Sequence, residues 1–269
     1  MYCRYWELTE SPFRPGPSPT FFHESPTHEE ALARLEFLVE HRRRMGLLLG
    51  GAGTGKSLLL EVLARRLRAQ RQRVALVNLR GLDPREFLLQ IADQLQVALR
   101  DLAPTSEIWR ALGETLTIAR YEQRSTVLLI DAADAASDEV RDQIARLAEL
   151  DRHPEARLTL VIAARTDHVR RLGERLLELC ELRIELDRWS SDETAEFLET
   201  SLRKAGRTAP LFTPAAIGEL QRLSGGVPRR ISQLADLALL AGAGSGASEI
   251  DAETVASACQ ELAATPISR

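Results

Sequence analysis

The chain has 269 residues, of which 44% are hydrophobic and 28% charged, and its formal net charge is -4. This composition is typical of a soluble globular protein, and it provides no overall basic field to attract nucleic acid or an acidic membrane. The scattered Cys3, Cys180 and Cys259 argue against a disulfide framework or zinc site and indicate a reducing cytoplasm. No apolar stretch approaches ~20 residues and the start lacks signal-peptide features, so we expect a cytoplasmic protein without a membrane span.

Residues 1–27 are rich in proline and are predicted to be irregular, and a helix is predicted over residues 27–43. Strands and helices then alternate. The strands are predicted over residues 46–50, 74–79, 126–131, 157–164 and 182–186. The helices between them are predicted over residues 56–70, 83–99, 105–122, 138–150 and 168–180. Because the strand segments are continuously apolar rather than alternating, we expect an α/β fold, a parallel five-stranded sheet with helices on both faces.

After residue 187 the pattern becomes purely helical. Helices are predicted over residues 190–205, 214–223, 228–241 and 251–262. The string AGAGSGAS at residues 241–248 is predicted to be a flexible loop. We therefore expect three regions: a lead-in segment and helix packed on the core (1–45), an α/β core (46–187) and a helical lid domain (188–269).

Residues 50–57, GGAGTGKS, follow the first predicted strand and match G-x-x-x-x-G-K-[ST], the Walker A phosphate loop. Three glycines are expected to take positive φ and turn backbone N–H groups toward phosphates: Gly50, Gly53 and Gly55. Lys56 is expected to contact the phosphates and Ser57 to bind Mg²⁺. Lysine occurs only at positions 56 and 204, so a compact ammonium is kept here in a chain that otherwise uses arginine. The predicted nucleotide-binding residues of the loop are Gly50, Gly51, Ala52, Gly53, Thr54, Gly55, Lys56, Ser57 and Leu58.

The string VLLID, residues 127–131, supplies an acidic partner for this loop. Four apolar strand residues precede Asp131, which places its carboxylate at the carboxyl end of a strand, where ligands bind in open α/β sheets. Asp131 is therefore expected to hold Mg²⁺ through water and to take part in catalysis.

Several further strings resemble one family over nearly the whole chain. They are YWELTESPF at residues 5–13, FFHESPTHEEALARL at 21–35, FTPAA at 212–216 and SGGVPRRISQLADLALL at 224–240. The chain resembles the AAA+ ATPases of the ExeA/GspA type, which are associated with general secretion, and it is also similar to TniB-like transposition ATPases. This resemblance implies a P-loop ATPase core with a helical lid, and it implies that Arg229 is the sensor 2 arginine that contacts the phosphates.

The resemblance also implies two less distinctive residues. A polar sensor 1 follows the fourth strand in similar families, which places it at Arg165 or Thr166; Arg165 is equally compatible with a solvated surface position. Arg183 matches the position of an arginine finger supplied to a neighbouring subunit, which implies a homo-oligomer formed on nucleotide binding. The alternative is an ordinary surface arginine.

One position departs from the family. The pattern D-E-A-[QH] after the third strand is D-A-A-D here, so Ala132 stands where a glutamate polarises the attacking water. Loss of a general base lowers a rate by about 10²–10⁴-fold. Asp134 could replace it if the turn aims its carboxylate inward; the simpler interpretation is a cap for the following helix.

These patterns favour an ATP-binding protein, using ATP, ADP and Mg²⁺, that couples slow hydrolysis to assembly or remodelling of an unidentified protein partner. We expect only the motor module, recruited to its partner by surface contact. One alternative is a nucleotide-dependent DNA-binding regulator, since residues 41–44 and 65–73 are rich in arginine; the negative net charge disfavours it. The other alternative, suggested by Ala132, is a non-hydrolysing switch or scaffold.

Overall fold

The computed structural model describes residues 2–13, 22–151 and 153–264. The chain forms two compact units. One, the sheet unit, consists of His28–Gly51 and Lys56–Leu186. The other, the helical unit, consists of Met1–Thr27, Ala52–Gly55 and Asp187–Arg269.

The sheet unit is built on five parallel strands, which confirms the predicted fold class. The strands are β1 (Met45–Gly50), β2 (Arg73–Asn78), β3 (Thr126–Asp131), β4 (Leu158–Arg165) and β5 (Leu182–Leu186). Their order in the sheet is β2-β3-β4-β1-β5. Every residue of β1 and β3 is buried, as expected for strands covered on both faces.

Six α-helices belong to this unit among the residues that the structure describes. They are α2 (Pro26–Glu40), α3 (Lys56–Ala69), α4 (Pro84–Gln94), α5 (Thr105–Tyr121), α6 (Asp138–Ala148) and α7 (Glu174–Glu178). One side of the sheet, with Leu47 and Leu128, forms a core cluster with Ile91 of α4, Ile108 of α5 and Ile144 of α6. Helix α3 contacts β1, β2 and β3 without contributing to that cluster, and α2 approaches β1 closely at Gly46. Helices therefore cover both faces of the sheet.

Two predicted helices of the sheet unit end earlier than expected. The helix predicted over residues 83–99 stops at Gln94, because Leu95 caps it and Gln96 turns to a left-handed φ of 56°. The helix predicted over residues 168–180 is interrupted at Gly173, whose φ is 80°. A 3₁₀ helix, Thr166–Leu172, precedes that glycine and the short α7 follows it.

The helical unit contains five α-helices among its described residues: α1 (Tyr2–Tyr5), α8 (Ser191–Lys204), α9 (Pro214–Ser224), α10 (Pro228–Ser245) and α11 (Ala252–Ala264). Helix α1 lies in a segment predicted to be irregular. Helix α10 continues into the predicted loop over residues 241–248 and ends at Gly246, which is left-handed. Helix α10 keeps a glycine at position 242 because this residue packs against Trp6 and Ile250. A side chain added there would collide with Ile250.

The lead-in segment belongs to the helical unit. Trp6 and Phe13 are buried with residues of α8 and α10, and the indole N–H of Trp6 donates to the carbonyl of Leu239 at 2.8 Å. The side chain of Arg207 donates to the carbonyl of Trp6 at 2.9 Å. This division differs from the expected lead-in region 1–45, because α2 packs within the sheet unit while Trp6 and Phe13 are buried in the helical unit.

Among the described residues, the longest and most apolar helices still fall short of what a membrane crossing requires.

Trp6 is the side chain whose loss tests this arrangement. It is 2% exposed, so Trp6→Ala is expected to destabilise the helical unit by about 3–5 kcal/mol, as for other buried aromatic truncations. Trp6→Phe keeps most of the packing and should cost only the indole hydrogen bond, about 1–3 kcal/mol. Urea unfolding followed by far-UV circular dichroism measures both. A Trp6→Ala protein as stable as Trp6→Phe would contradict the packing described here.

Candidate functional site

The phosphate loop connects β1 to α3, and its lysine is held by the loop itself. The ammonium of Lys56 donates to the carbonyls of Gly50, at 2.8 Å, and Gly51, at 2.7 Å. Gly53 and Gly55 have φ values of 82° and 100°. Gly50 does not share this conformation: it is the last residue of β1 and lies in the extended ladder, so its predicted positive φ is wrong. The glycine-specific backbone of the loop is therefore confined to Gly53 and Gly55.

Next to the loop, a serine and an aspartate meet at the carboxyl end of β3. The hydroxyl of Ser57 donates to Oδ2 of Asp131 at 2.7 Å, and the amide of Asn78 donates to the same oxygen at 3.1 Å. Asp131 is only 7% exposed. The register explains this meeting, because Asn78 and Asp131 are paired at the ends of β2 and β3. The two residues predicted as Mg²⁺ ligands thus lie within hydrogen-bond distance of each other.

The residue after Asp131 has an unusual backbone. Ala132 is left-handed, with φ 56° and ψ 39°, and its side chain is 8% exposed. Its N–H donates to Oδ1 of Asp131 at 2.9 Å, which fixes the second oxygen of that carboxylate. A methyl group therefore occupies the position at which the family pattern has a carboxylate.

Asp134 is engaged on both of its oxygens. Oδ1 accepts the backbone N–H of Arg165 at 3.2 Å, and Oδ2 lies 3.1 Å from Nδ1 of His168. Asp134 thereby links the turn after β3 to the segment after β4. The predicted capping role is wrong, because Ser137 is the residue whose side chain accepts an N–H at the start of α6, from Val140 at 3.4 Å.

Arg165 is the last residue of β4 and is paired with Gly50 of β1, so its backbone lies beside the start of the phosphate loop. Its side chain pairs with Asp167, with Nε–Oδ1 at 3.0 Å and a second bond at 2.6 Å. This hydrogen bond lowers the pKa of Asp167 and raises the pKa of Arg165. Thr166, the other sensor 1 candidate, begins the 3₁₀ helix.

Arg183 lies on β5, at the side of the sheet. Its guanidinium pairs with Glu185, with Nε–Oε1 at 3.1 Å, and its side chain is more than half exposed. Its carbonyl accepts a hydrogen bond from Arg34 of α2 at 3.1 Å. An exposed arginine on an edge strand is compatible with a contact to another molecule, and also with an ordinary surface ion pair.

In the helical unit, the tip of the phosphate loop contacts the start of α10. The carbonyl of Gly53 accepts the N–H of Arg229 at 3.2 Å. A Cβ added at Gly53 would lie 2.9 Å from Val227 and 3.2 Å from Arg229. Since no side chain caps α10, the carbonyl of Gly53 satisfies one of its unpaired N–H groups. The string G-V-P-R therefore abuts the loop tip directly.

Two residues that contact Asp131 or Asp134 were not predicted from the sequence. Asn78 follows a run of apolar strand residues, as Asp131 does, and that position was a signal for a second polar group at the same edge. His168 was not identified as a site residue. Its partner Asp134 is 34 residues away, and no local pattern indicates that pairing.

These residues fit a nucleotide with Mg²⁺. Ser57 and Asp131 offer hard oxygen ligands, the start of α3 presents backbone N–H groups, and Lys56 supplies a positive charge. In the described parts of the chain no three His, Cys, Asp or Glu side chains gather closely enough to hold a metal ion. A cation bound through Ser57 and Asp131 would therefore need further oxygens from water and phosphate, which is the usual state of protein-bound Mg²⁺.

Comparison with known proteins agrees with this geometry. Residues 39–172 match the family model described as AAA domain. In structure, the chain is similar to Cdc6p from Pyrobaculum aerophilum, with a TM-score of 0.73 and 20% identity over 94% of this chain and 70% of that one. The RuvB Holliday junction branch migration motor of Thermotoga maritima gives a TM-score of 0.61 and 18% identity, over 93% and 73% of the two chains. The fold of the chain is therefore that of the P-loop AAA+ proteins, and the family match covers residues 39–172.

A more specific likeness is to General secretion pathway protein A of Aeromonas hydrophila. The identity is 29% over 254 residues, which is 93% of this chain and 46% of that protein. The predicted resemblance to AAA+ ATPases of the GspA type is thus confirmed, and the chain spans about half the length of this relative.

The two lysines of the chain provide a matched test of the phosphate loop. We expect Lys56→Ala to abolish ATP binding, at least a tenfold rise in Kd, because a charge-assisted contact to phosphate is lost while the core is untouched. Lys204→Ala is the control, since that ammonium donates to the carbonyl of Phe22, at 2.9 Å in the helical unit. Titration with a fluorescent ATP analogue measures both, and circular dichroism checks folding. Unchanged affinity in Lys56→Ala would contradict the assignment of the loop.

Proposed function

We propose that the protein binds ATP with Mg²⁺, hydrolyses it slowly and couples this cycle to the assembly or remodelling of a partner complex. The observation that carries the proposal is the hydrogen bond of 2.7 Å between Ser57 and Asp131 beside the phosphate loop. The two expected metal ligands therefore lie side by side in the fold itself. ATP binding and turnover, measured with and without Mg²⁺, test it.

In this proposal each residue has a distinct task. The loop residues from Gly50 to Leu58 enclose the phosphates, and Lys56 exchanges its carbonyl partners for phosphate oxygens. When bound, Mg²⁺ would supply positive charge beside the transferred phosphoryl group. Ser57 and Asp131 hold that ion, and Asn78 keeps the carboxylate of Asp131 in place.

Slow hydrolysis follows from the turn after β3. The methyl group of Ala132 cannot polarise water, and Asp134 already accepts the N–H of Arg165 and contacts His168. If Asp134 acts as the base, its contact with His168 must open or the imidazole must relay the proton. A switch that binds ATP without hydrolysing it is the second candidate, and the same observation at Ala132 favours it.

The partner and the oligomer are inferred from the likeness to General secretion pathway protein A. We propose that the chain self-associates on nucleotide binding, with Arg183 reaching a neighbouring subunit and Arg165 or Thr166 sensing the phosphates. Arg183 is more than half exposed, as this role requires. By analogy with that relative, we propose that a protein partner binds to the surface of this chain. A cytoplasmic location is supported by three cysteines that form no disulfide.

Ala132 offers the sharpest test of catalysis. Ala132→Glu is expected to raise ATP turnover at least tenfold, because it restores a carboxylate where the family pattern has one. Ala132→Gln is the matched control, equal in size but without a base, and should leave turnover near the wild-type rate. Steady-state phosphate release measures all three proteins. If Ala132→Glu gives no gain and Asp134→Asn abolishes turnover, Asp134 is already the base.

Substitutions of Arg229 and Arg183 are expected to change different properties of the protein. Arg229→Ala should weaken nucleotide binding even in dilute protein, because the backbone N–H places this residue beside Gly53 of its own chain and the substitution removes the guanidinium proposed to contact the phosphates there. Arg183→Ala should leave binding intact and lower only the turnover that rises with protein concentration, because a finger acts on a neighbour's transition state. ATPase rate against protein concentration separates them. The arginine-finger role of Arg183 would be refuted by two results together. Turnover per subunit would not depend on protein concentration, and Arg183→Ala would leave it unchanged.

A further inference from the structure

The amino ends of the five strands form an edge opposite the candidate nucleotide site, and five separate chain segments line it. Backbone hydrogen bonds of 2.8–3.0 Å fix their order by joining Arg73 to Ser125, Thr126 to Arg157, Leu160 to Arg44, and Glu181 to Met45. The order is residues 71–73, 122–125, 155–157, 42–44 and 181, which we call the amino edge. Segments far apart in sequence thus become neighbours in one row.

The amino edge is strongly basic, although the chain as a whole has a net charge of -4. Its charged residues are seven arginines and three glutamates: Arg42, Arg43, Arg44, Arg71, Arg73, Arg124 and Arg157, with Glu122, Glu155 and Glu181. The net charge of the whole chain therefore hides a local basic row. The negative charge that argued against a nucleic-acid partner is located elsewhere.

Part of this positive charge is not neutralised. Arg43 pairs with Glu181 at 3.7 Å, and Arg124 pairs with Glu122 at 3.6 Å. Arg42, Arg44 and Arg71 are exposed, and across the residues that the structure describes none of these three side chains forms an ion pair. They are available to an external anion.

Helix ends do not account for these positions. Helices α2 and α3 end at this edge, and a cation near a helix C-terminus contributes about 0.3–1 kcal/mol. Arg42 and Arg71, however, occupy left-handed positions, with φ 53° and 62°, where glycine is usual. A side chain there costs roughly 1–2 kcal/mol, which offsets that contribution. Gln96 and Gln123 take the same conformation after α4 and α5, so this backbone does not itself require arginine, and the charged side chains at both positions add to the basic row.

We propose that the amino edge binds the phosphate backbone of double-stranded DNA. Five strands about 4.8 Å apart give a row of roughly 19 Å. Duplex DNA carries one charge per about 1.7 Å of its axis, so phosphates are dense enough to meet several arginines at once. The row contains no lysine, and the planar guanidinium matches phosphate oxygens in pairs. Contacts of this kind carry no sequence information, so binding is independent of base sequence.

An anionic membrane fits the amino edge less well. Proteins that lie on a bilayer insert apolar side chains at its surface, and Ala156 is the sole apolar residue in the five segments. DNA binding is also separate from ATP binding, because the six residues of β1 set the two edges about 17 Å apart. The proposal therefore stands or fails independently of the proposed ATPase cycle.

The test compares two triple variants by fluorescence anisotropy with a labelled duplex of about 30 base pairs, between about 50 and 200 mM NaCl. The first is Arg42→Ala/Arg44→Ala/Arg71→Ala. The control removes three exposed arginines that lie outside the amino edge: Arg110, Arg203 and Arg222. The amino-edge variant should bind at least tenfold more weakly than wild type, and the slope of log K against log salt should fall by about 2.7 in magnitude. The control should stay within about twofold of wild type.

A second variant separates binding from folding. Arg42→Gly/Arg71→Gly relieves two left-handed side chains, so its thermal midpoint should equal or exceed that of wild type while DNA affinity falls. Three results would overturn the proposal: no binding of wild type to the duplex at about 50 mM NaCl, equal affinity of the two triple variants, or binding to phosphatidylglycerol vesicles but not to the duplex. The last result would identify a membrane-binding edge instead.

Discussion

The parallel hydrogen bonding of β2, β3, β4 and β1 is the constraint on which the candidate site depends. Parallel ladders place the carboxyl ends of neighbouring strands at one edge, and the register pairs Asn78 with Asp131 and Gly50 with Arg165. The backbone thereby brings a hydroxyl, a carboxylate and an ammonium to one edge, where the hydroxyl of Ser57 donates to Asp131. The same ladders bring the arginines of the amino edge into one row.

The sequence predicts an element of this structure well when the interactions that determine it join residues close together in the chain. The phosphate loop and the parallel sheet were predicted from adjacent residues, because the Walker A string follows an apolar run and several short apolar runs alternate with helical segments. The early end of α4 depends on a left-handed Gln96, a residue with no strong preference for that conformation. The interruption at Gly173 could have been predicted, because glycine takes positive φ more readily than other residues and a residue in that conformation ends a helix.

Within the site, the meeting of Ser57 and Asp131 was predictable, because both follow buried strands of one parallel sheet. The role of Asp134 was not. Its partners, the N–H of Arg165 and the ring of His168, come from the segment after the next strand, so only the assembled fold shows that its carboxylate is engaged. Ala132 remains the decisive departure, because a methyl group on a left-handed backbone stands where the family pattern has a carboxylate.

The lead-in segment has a consequence for how the chain reaches its native state during synthesis. Trp6 donates to the carbonyl of Leu239, a partner 233 residues further along the chain. The sheet unit, whose segments lie within residues 28–186, can form as soon as it leaves the ribosome. The helical unit cannot close until almost all of the polypeptide has been made, so the apolar side chains of Trp6 and Phe13 stay exposed on the nascent chain until then. Trp6 and its neighbours are thus the part of this protein most in need of a chaperone.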